Sequence, residues 1–83
     1  MDRMNLTLDI QANSIGLKRV NVRSSLVVGN LLGTIQDKFN LDGNFELRLK
    51  SGSQALHPEV ALNTLGVTDG ATLVCSRAIE ISR

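Results

Sequence analysis

The segment from Leu56 to Leu73 constrains the fold of this chain more than any other part of it. Three apolar residues follow one another there at the spacing of a short helical turn, namely Leu62, Leu65 and Val67. Asp69-Gly70 is a turn signal, because glycine accepts a positive φ and aspartate bonds its own backbone. A strand is predicted to begin at Thr72. The segment therefore predicts a compact turn that buries apolar side chains and returns the chain to a sheet.

Size and composition restrict the class of protein. The chain has 83 residues, which corresponds to one small domain. It contains 2 Phe and no Trp or Tyr, so aliphatic side chains must form the core. A net charge of +1 gives no bulk attraction to nucleic acid or membranes. Aromatic stacking surfaces are also scarce, so we predict no nucleic-acid partner. No apolar run approaches the length of about 20 residues of a membrane span, so we predict no membrane insertion.

Cys75 is the only cysteine. An intramolecular disulfide is therefore impossible, and so is a cysteine-rich zinc site. This favours a reducing, cytoplasmic location. Cys75 also falls on the inward phase of the last predicted strand, so we expect a small buried apolar side chain and not a reactive thiol.

The N-terminal region predicts a β-hairpin. Four apolar residues alternate with polar ones in the first strand, at Met4, Leu6, Leu8 and Ile10. A turn region at residues 11–16 leads to a second strand that contains Val20 and Val22. The register near Leu17-Lys18 stays open, since only one of these two side chains can face inward unless the strand contains a bulge.

An amphipathic helix is predicted next. Its apolar residues recur at helical spacing, at Val28, Leu31, Leu32, Ile35 and Phe39. Ser24 and Ser25 are the predicted N-cap residues, because a hydroxyl can accept a hydrogen bond from a free helix N–H. Asn40 and Asp42-Gly43 are predicted to end the helix.

The C-terminal half predicts three more strands. The first contains Phe45, Leu47 and Leu49; the second is a very short strand at 54–56, stopped by Pro58. In the last, Leu73 and Cys75 face inward and Val74 and Ser76 outward. The order β-β-α-β-β-β predicts an α+β fold with a mixed sheet packed against one helix. We place the domain at residues 4–77, with terminal tails at 1–3 and 78–83; a strand extension through Ile79 and Ile81 is the alternative for the second tail.

Over about Met4 to Arg77 the chain resembles ubiquitin-like proteins. Ile35-Gln36-Asp37-Lys38 matches a stretch of the ubiquitin helix, and the apolar spacing from Leu56 to Leu73 fits without a gap. The resemblance implies a ubiquitin-like β-grasp fold. Matches of this kind specify fold strongly and function weakly.

Two departures separate this chain from ubiquitin itself. The sequence ends in Glu80-Ile81-Ser82-Arg83 instead of Gly-Gly, which disfavours a modifier or a sulfur carrier activated at its C-terminus. Arg48 stands at the position of ubiquitin's central apolar recognition residue, and Ser76 stands near another apolar member of that patch. The resemblance therefore does not imply recognition by standard ubiquitin receptors.

Length, the missing Gly-Gly and the helix-to-strand pattern resemble the YukD/EsaB-like small ubiquitin-like proteins of bacterial type VII secretion. This resemblance implies a non-catalytic, cytosolic accessory or regulatory protein that binds protein partners, including a membrane secretion complex. The alternatives are a modifier or sulfur carrier, and a ubiquitin-like module excised from a larger protein.

Two groups of residues are candidate partner-binding sites. Five of them are predicted to share the open side of the sheet: Arg19, Arg48, Lys50, Val74 and Ser76. Arg77 is a further candidate for that surface. The surface is either an ordinary solvated face or a basic docking face for an acidic protein surface.

The second group is a Gly-x-x-x-Gly spacing in the helix. Gly29 and Gly33 each cost the helix about 0.8–1 kcal/mol relative to Ala. One interpretation is that they allow the helix to pack closely on the sheet or on a loop. The other is that they leave a flat helix face on which an element of a partner can pack.

No arrangement of residues indicates catalysis. His57 precedes Pro58 in a predicted loop, and the sequence offers no oriented partner and nucleophile for it. EF-hand, P-loop and dinucleotide-binding patterns are missing. We therefore expect no catalytic residue, metal or cofactor, and no enzymatic activity. The oligomeric state stays open, because Val74, Ile79 and Ile81 could pair edge to edge.

Overall fold

The structure, a computed structural model, describes residues 2–52 and 54–78. Its elements are, in chain order, β1 (Arg3–Ile10), β2 (Gly16–Arg23), α1 (Val28–Phe39), β3 (Phe45–Leu49), a 3-10 turn (Asn63–Leu65) and β4 (Thr72–Arg77). The strands form one sheet in the order β2-β1-β4-β3. β1 and β4 are parallel, and the other two neighbouring pairs are antiparallel. The predicted mixed α+β sheet with one helix is therefore confirmed.

The core lies between α1 and the inward side of the sheet. Alternate residues of β1, β3 and β4 and one side of α1 contribute to it, together with side chains of the long connections. Its buried members are Met4, Leu6, Leu8, Ile10, Val28, Leu31, Ile35, Leu41, Phe45, Leu47, Leu62, Val67, Leu73 and Cys75. The prediction that aliphatic side chains form this core is confirmed, since Phe45 is its one buried aromatic residue in the described part of the chain.

The hairpin of β1 and β2 settles the register that the sequence left open. Val20 and Val22 pack against the core, and pairing continues to Gly16 without a bulge. The two-residue period then places Lys18 on the core side of β2 and Leu17 on the opposite side. Leu17 is consequently 66% exposed, while Lys18 lies at the edge of the sheet with an exposed side chain.

The predicted serine N-cap of α1 is wrong. The Ser24 N–H donates to the Asp2 carbonyl at 2.7 Å, so this residue extends the hairpin instead. The helix begins at Val28 and is preceded by Val27 at the N-cap, which makes no side-chain cap hydrogen bond.

Two carbonyls of a distant loop replace the side-chain cap. The Val28 N–H donates to the Val60 carbonyl at 3.0 Å, and the Gly29 N–H donates to the Pro58 carbonyl at 2.8 Å. These N–H groups have no partner within a helix, so they need an external acceptor. The start of α1 is therefore held by a tertiary contact.

The other end of α1 follows the prediction. Asn40 adopts the left-handed conformation at φ 56°, and its N–H donates to the Gln36 carbonyl. The short strand expected at 54–56 is not formed as a strand. It is reduced to an isolated bridge between Arg48 and Ala55, with the Leu56 N–H donating to the Leu47 carbonyl at 2.6 Å.

The segment from Leu56 to Leu73 contains the predicted helical turn, which is a 3-10 turn. Leu62, which precedes this turn, is 0% exposed, and Val67 beyond it is 2% exposed, while Leu65 is half-buried. The Asp69 carboxylate accepts the Asn5 N–H at 2.6 Å, which ties the following turn to β1. β4 then begins at Thr72.

After β4, the Ala78 N–H donates to the Asn44 carbonyl at 2.9 Å. The alternative strand extension through Ile79 and Ile81 lies outside the described residues. None of the helices described is long and apolar enough to cross a membrane.

Candidate protein-interaction face

In the part of the chain that the structure describes, no helix covers the side of the sheet opposite α1, and we call this side the open sheet face. One row across it runs from Arg19 through Thr7 and Thr72 to Lys50. Neighbouring strands lie about 4.8 Å apart, so the ends of this row are separated by about 14 Å. Both cationic side chains are exposed. The row therefore presents one positive charge at each end, with two hydroxyl groups between them.

A second row lies beside the first and is less polar. It runs from Leu17 through Asp9 and Val74 to Arg48. Val74 and Asp9 are half-buried, and Leu17 is the exposed apolar residue at the end of the row. The apolar residues of this row are separated by a carboxylate, so they do not form a continuous apolar patch.

Arg48 forms an ion pair within the sheet. Its guanidinium Nη2 donates to the carboxylate of Glu46, two residues earlier on the same face of β3. The side chain of Arg48 is 32% exposed and that of Glu46 is 21% exposed. The Nε of Arg48 is buried and has no hydrogen-bond partner among the residues described. Arg48 therefore contributes less free positive charge to the open sheet face than Arg19 and Lys50.

The hairpin end of the open sheet face is held by a polar network. The Arg3 guanidinium donates to the Asn21 carbonyl at 3.1 Å, and the Asn21 amide donates to the Asn5 side-chain oxygen at 2.9 Å. Asn5 in turn donates its N–H to Asp69. These groups satisfy one another, so the network supports the sheet and leaves the Arg19–Lys50 row as the more available polar surface.

The structure brings the five predicted sheet residues together. Ser76 and Val74 are half-buried on the same side of the sheet as the three basic residues. Arg77 is different. It pairs with Phe45, and its guanidinium stacks over that ring at 5.0 Å from the centroid. The suggestion that Arg77 shares the open sheet face is therefore wrong, because strand alternation places it on the opposite side.

The two helix glycines lie apart from this face and differ from each other. A Cβ on Gly29 would lie 2.9 Å from the Pro58 carbonyl oxygen, which caps the helix. A Cβ on Gly33 would meet no atom within 4 Å. Close packing against a loop, one of the two interpretations of the spacing, accounts for Gly29. Nothing in the structure explains Gly33.

His57 and Cys75, the two residues considered for chemistry, lie in different environments. His57 is exposed in a loop, and its Nδ1 accepts the Glu59 N–H at 3.3 Å. Cys75 is 0% exposed in the centre of β4. Among residues 2–52 and 54–78, no group of three or more His, Cys, Asp or Glu side chains is placed to hold a metal ion.

Burial should make Cys75 unreactive in the folded protein. Loss of hydration raises the pKa of its thiol from 9.0 to about 11, because burial disfavours the charged thiolate. We expect iodoacetamide at pH 8 to label the thiol in denaturant but not in the native protein. The native thiol keeps its proton where the unfolded thiol has lost it, so this group lowers the free energy of unfolding as pH rises from 9.0 to about 11.

A Cys75→Ala variant serves as the control for the pH experiment. We expect the free energy of unfolding, measured by urea denaturation, to fall less steeply for this variant than for the parent protein as pH rises from 9.0 to about 11. Rapid native labelling, or identical pH profiles for the two proteins, would contradict the burial argument.

Sequence reasoning missed three members of this surface. Thr7 and Thr72 stand between the two free cations, but only the strand order shows that they are neighbours. Leu17 was noticed as a register problem and not as an exposed apolar side chain. Its exposure could have been predicted from the sequence, because Val20 and Val22 face inward and the two-residue period then turns Leu17 outward.

Comparison with solved structures identifies the architecture. Caldiarchaeum subterraneum ubiquitin superposes with a TM-score of 0.76 at 22% identity, covering 93% of this chain and 96% of that one. The ubiquitin-like domain of Arabidopsis thaliana protein At2g32350 gives a TM-score of 0.76 at 19% identity, covering 100% and 86%. ATBAG1, solved in complex with HSP70, gives 0.73 at 15% identity, covering 89% and 40%.

Comparisons of sequence give no assignment: no protein-family model matches the chain, and no curated protein matches it either. Identities of this size between structures establish the architecture and not the activity. The element order, the mixed sheet and these superpositions agree, and the chain has the ubiquitin-like β-grasp fold.

Proposed function

We propose that this protein is a non-catalytic interaction module that binds an acidic protein surface through the open sheet face. The observation that carries the proposal is the row from Arg19 to Lys50, in which two exposed cations flank Thr7 and Thr72. A complementary partner would carry carboxylates at a matching separation. Charge complementarity of this kind raises association rates and selects partners.

The composition of the face supports an acidic partner over an apolar one. Leu17 and Val74 are separated by Asp9, and Arg48 occupies the remaining position of their row. A surface of this kind does not offer the apolar centre that a stable, largely hydrophobic interface needs. We therefore propose a reversible, polar interaction.

The proposed use of the fold has a parallel among its structural neighbours. ATBAG1 was solved in complex with HSP70, and we extend from it only the idea that this architecture serves protein binding. The isolated His57 and the buried Cys75 support a module without catalysis.

A narrower proposal concerns the assembly to which the module belongs. The sequence resemblance to YukD/EsaB-like proteins suggests an accessory or regulatory role at a bacterial secretion complex in the cytoplasm. Its support is the resemblance alone. A membrane ATPase or another secretion component would then be the acidic partner.

The test is affinity capture from the cytosolic and membrane fractions of the source cell, followed by binding measurements on the purified partner. The variant Arg19→Glu/Lys50→Glu reverses both free charges of the row. We expect it to weaken binding by at least about tenfold, because attractive charges become repulsive ones. Arg48→Glu is a poorer variant, since it would place a second carboxylate beside Glu46.

The matched control is Lys18→Glu/Lys38→Glu, which makes the same change in charge on the helix side of the sheet. Circular dichroism verifies that both variants are folded. Equal affinity of the open-face variant and the parent protein would contradict the proposal. Capture of an adenylating enzyme, with an adenylate or thiocarboxylate at the C-terminus by intact mass, would replace it with the carrier function.

A further inference from the structure

The chain contains two Asp-Gly pairs, Asp42-Gly43 and Asp69-Gly70. The side chain of an aspartate that precedes glycine can react with the next backbone nitrogen, because glycine has no Cβ to shield that nitrogen. The reaction needs a free carboxyl group on the aspartate and a free N–H on the glycine. The two glycines have similar backbone conformations, with φ of 104° at Gly43 and 86° at Gly70. The two pairs differ, however, in whether their reacting groups are free.

Both reacting groups of the Asp69-Gly70 pair are held by Asn5. The Asp69 carboxylate accepts the Asn5 N–H at 2.6 Å, and the Gly70 N–H donates to the Asn5 carbonyl at 2.7 Å. Asn5 belongs to β1, which lies inside the sheet between β2 and β4. The carboxyl group can therefore reach the nitrogen only after a local opening that breaks both hydrogen bonds.

The reacting groups of the Asp42-Gly43 pair are free. This pair lies between the end of α1 and the start of β3, and both residues are exposed. Neither the Asp42 carboxylate nor the Gly43 N–H has a hydrogen-bond partner among the described residues. Asp42 also lines an open hollow beside Gly33, so water reaches its carboxyl group. No protein contact has to break before the two groups of this pair meet.

The carbonyl groups of the same loop are held, in contrast to its reacting groups. The Arg77 guanidinium donates to the Asp42 carbonyl at 3.0 Å. The Gln36 side-chain amide donates to the Gly43 carbonyl at 2.8 Å. These two hydrogen bonds connect the loop to β4 and to α1, so a change in the length of its backbone would disturb both connections.

We propose that Asp42 isomerises spontaneously to isoaspartate in the folded protein, whereas the fold protects Asp69, and that the product weakens the connection between α1 and β3. The Gly43 nitrogen bonds to Cγ of the protonated Asp42 carboxyl group, and the carboxyl hydroxyl and the nitrogen's proton leave together as water. A water molecule then opens the cyclic succinimide. Opening at Cγ restores aspartate, and opening at the former backbone carbonyl gives isoaspartate. Nothing is oxidised or reduced, and the water lost in the first step is regained in the second.

The test is incubation of the folded full chain in water enriched in oxygen-18, followed by trypsin digestion and mass spectrometry. Ring opening adds an oxygen-18 atom to the reacting residue, and electron-transfer fragmentation identifies isoaspartate. Trypsin separates the sites, since residues 39–48 contain Asp42 and residues 51–77 contain Asp69. We expect uptake at least about tenfold faster in the first peptide, because two hydrogen bonds must break before the second site reacts.

Unfolding the chain in guanidinium chloride supplies the matched control. The hydrogen bonds to Asn5 are then lost, so the two peptides should take up oxygen-18 at similar rates. Equal rates in the folded protein, or the same ratio of rates in the folded and unfolded chain, would overturn the proposal.

The variant Asp42→Glu assigns the uptake to one residue. Its carboxyl group stands one methylene further from the backbone, which disfavours ring closure. We expect it to abolish uptake in residues 39–48 and to leave uptake in residues 51–77 unchanged. Uptake in residues 39–48 that persists in this variant would come from Asn40 or Asn44 and would overturn the assignment.

The consequence for the fold is tested on the isoaspartyl protein, separated from the parent by chromatography. Its main chain runs through the former side chain of Asp42, which turns the carbonyl held by Arg77 into a free carboxylate and moves the Gly43 carbonyl away from Gln36. We expect a lower midpoint of urea unfolding than for the parent protein. An unchanged midpoint would overturn this part of the proposal. Because Asp42 lies outside the Arg19–Lys50 row, none of these outcomes depends on the proposed partner binding.

Discussion

Replacing Leu62 by alanine is expected to lower the free energy of unfolding by about 3 kcal/mol, in the range found for fully buried leucines. Leu62 is 0% exposed, and its backbone is fixed on both sides. Its N–H donates to the Leu26 carbonyl at 2.9 Å, and its carbonyl accepts the Val67 N–H at 3.1 Å. The site therefore has little freedom to collapse around the missing methyl groups.

A loss of about 3 kcal/mol would be a large part of the total free energy of unfolding. A domain of 83 residues has an expected stability of about 4 to 12 kcal/mol. Because the chain has no Trp or Tyr, urea unfolding should be followed by circular dichroism. Leu17→Ala is the matched control, since the same atoms are removed from a side chain that is 66% exposed. We expect it to change stability by less than about 0.5 kcal/mol; equal losses in both variants would contradict the described core.

Alanine at the two helix glycines should have effects of opposite sign. At Gly33 a Cβ meets open space, so Gly33→Ala should stabilise the protein by about 0.8–1 kcal/mol through helix propensity alone. At Gly29 the same gain is opposed by a Cβ placed 2.9 Å from the Pro58 carbonyl oxygen. Crowding of the added Cβ against this carbonyl costs about 1–3 kcal/mol.

We expect Gly29→Ala to destabilise the protein by up to about 2 kcal/mol in net, since the crowding outweighs the propensity gain. The carbonyl cannot simply move away, because it also accepts the Gly29 N–H that caps α1. Urea unfolding of the two variants under the same conditions makes the comparison. Stabilisation by both substitutions would show that the loop does not cap the helix, and destabilisation by both would show that Gly33 has a contact that the structure lacks.

The fold could be predicted from the sequence where one element carries its own periodicity. The alternation from Met4 to Ile10 and the helical spacing from Val28 to Phe39 each specify an element and its buried side. The same alternation placed Val74 and Ser76 outward. Local periodicity therefore predicted the open sheet face as well as the core.

The predictions that were wrong concern features that depend on contacts between segments distant in sequence. Ser24 and Ser25 are good caps locally, but carbonyls from residues 58 and 60 occupy that role in the folded chain. The expected strand at 54–56 is one bridge, because pairing depends on how closely that loop follows β3. No local pattern contains this information.

The candidate sites divide along the same line. Alternation groups Arg19, Lys50 and Val74 on one side of the sheet. It does not show that two threonines stand between the two cations or that only one Asp-Gly pair is held by β1, since both facts require contacts between distant segments. The ion pair of Arg48 and Glu46 could have been predicted from the sequence, because the two residues lie two positions apart on one strand and so on the same face.

The proposed function requires a protein partner to bind non-covalently to the open sheet face. An amide NMR footprint of the isotope-labelled chain with its captured and purified partner tests this requirement. We expect changes at Thr7, Thr72 and Lys50, and a complex that separates under denaturing conditions. Changes confined to the helix around Asp37, or a partner joined covalently to the C-terminus, would contradict it.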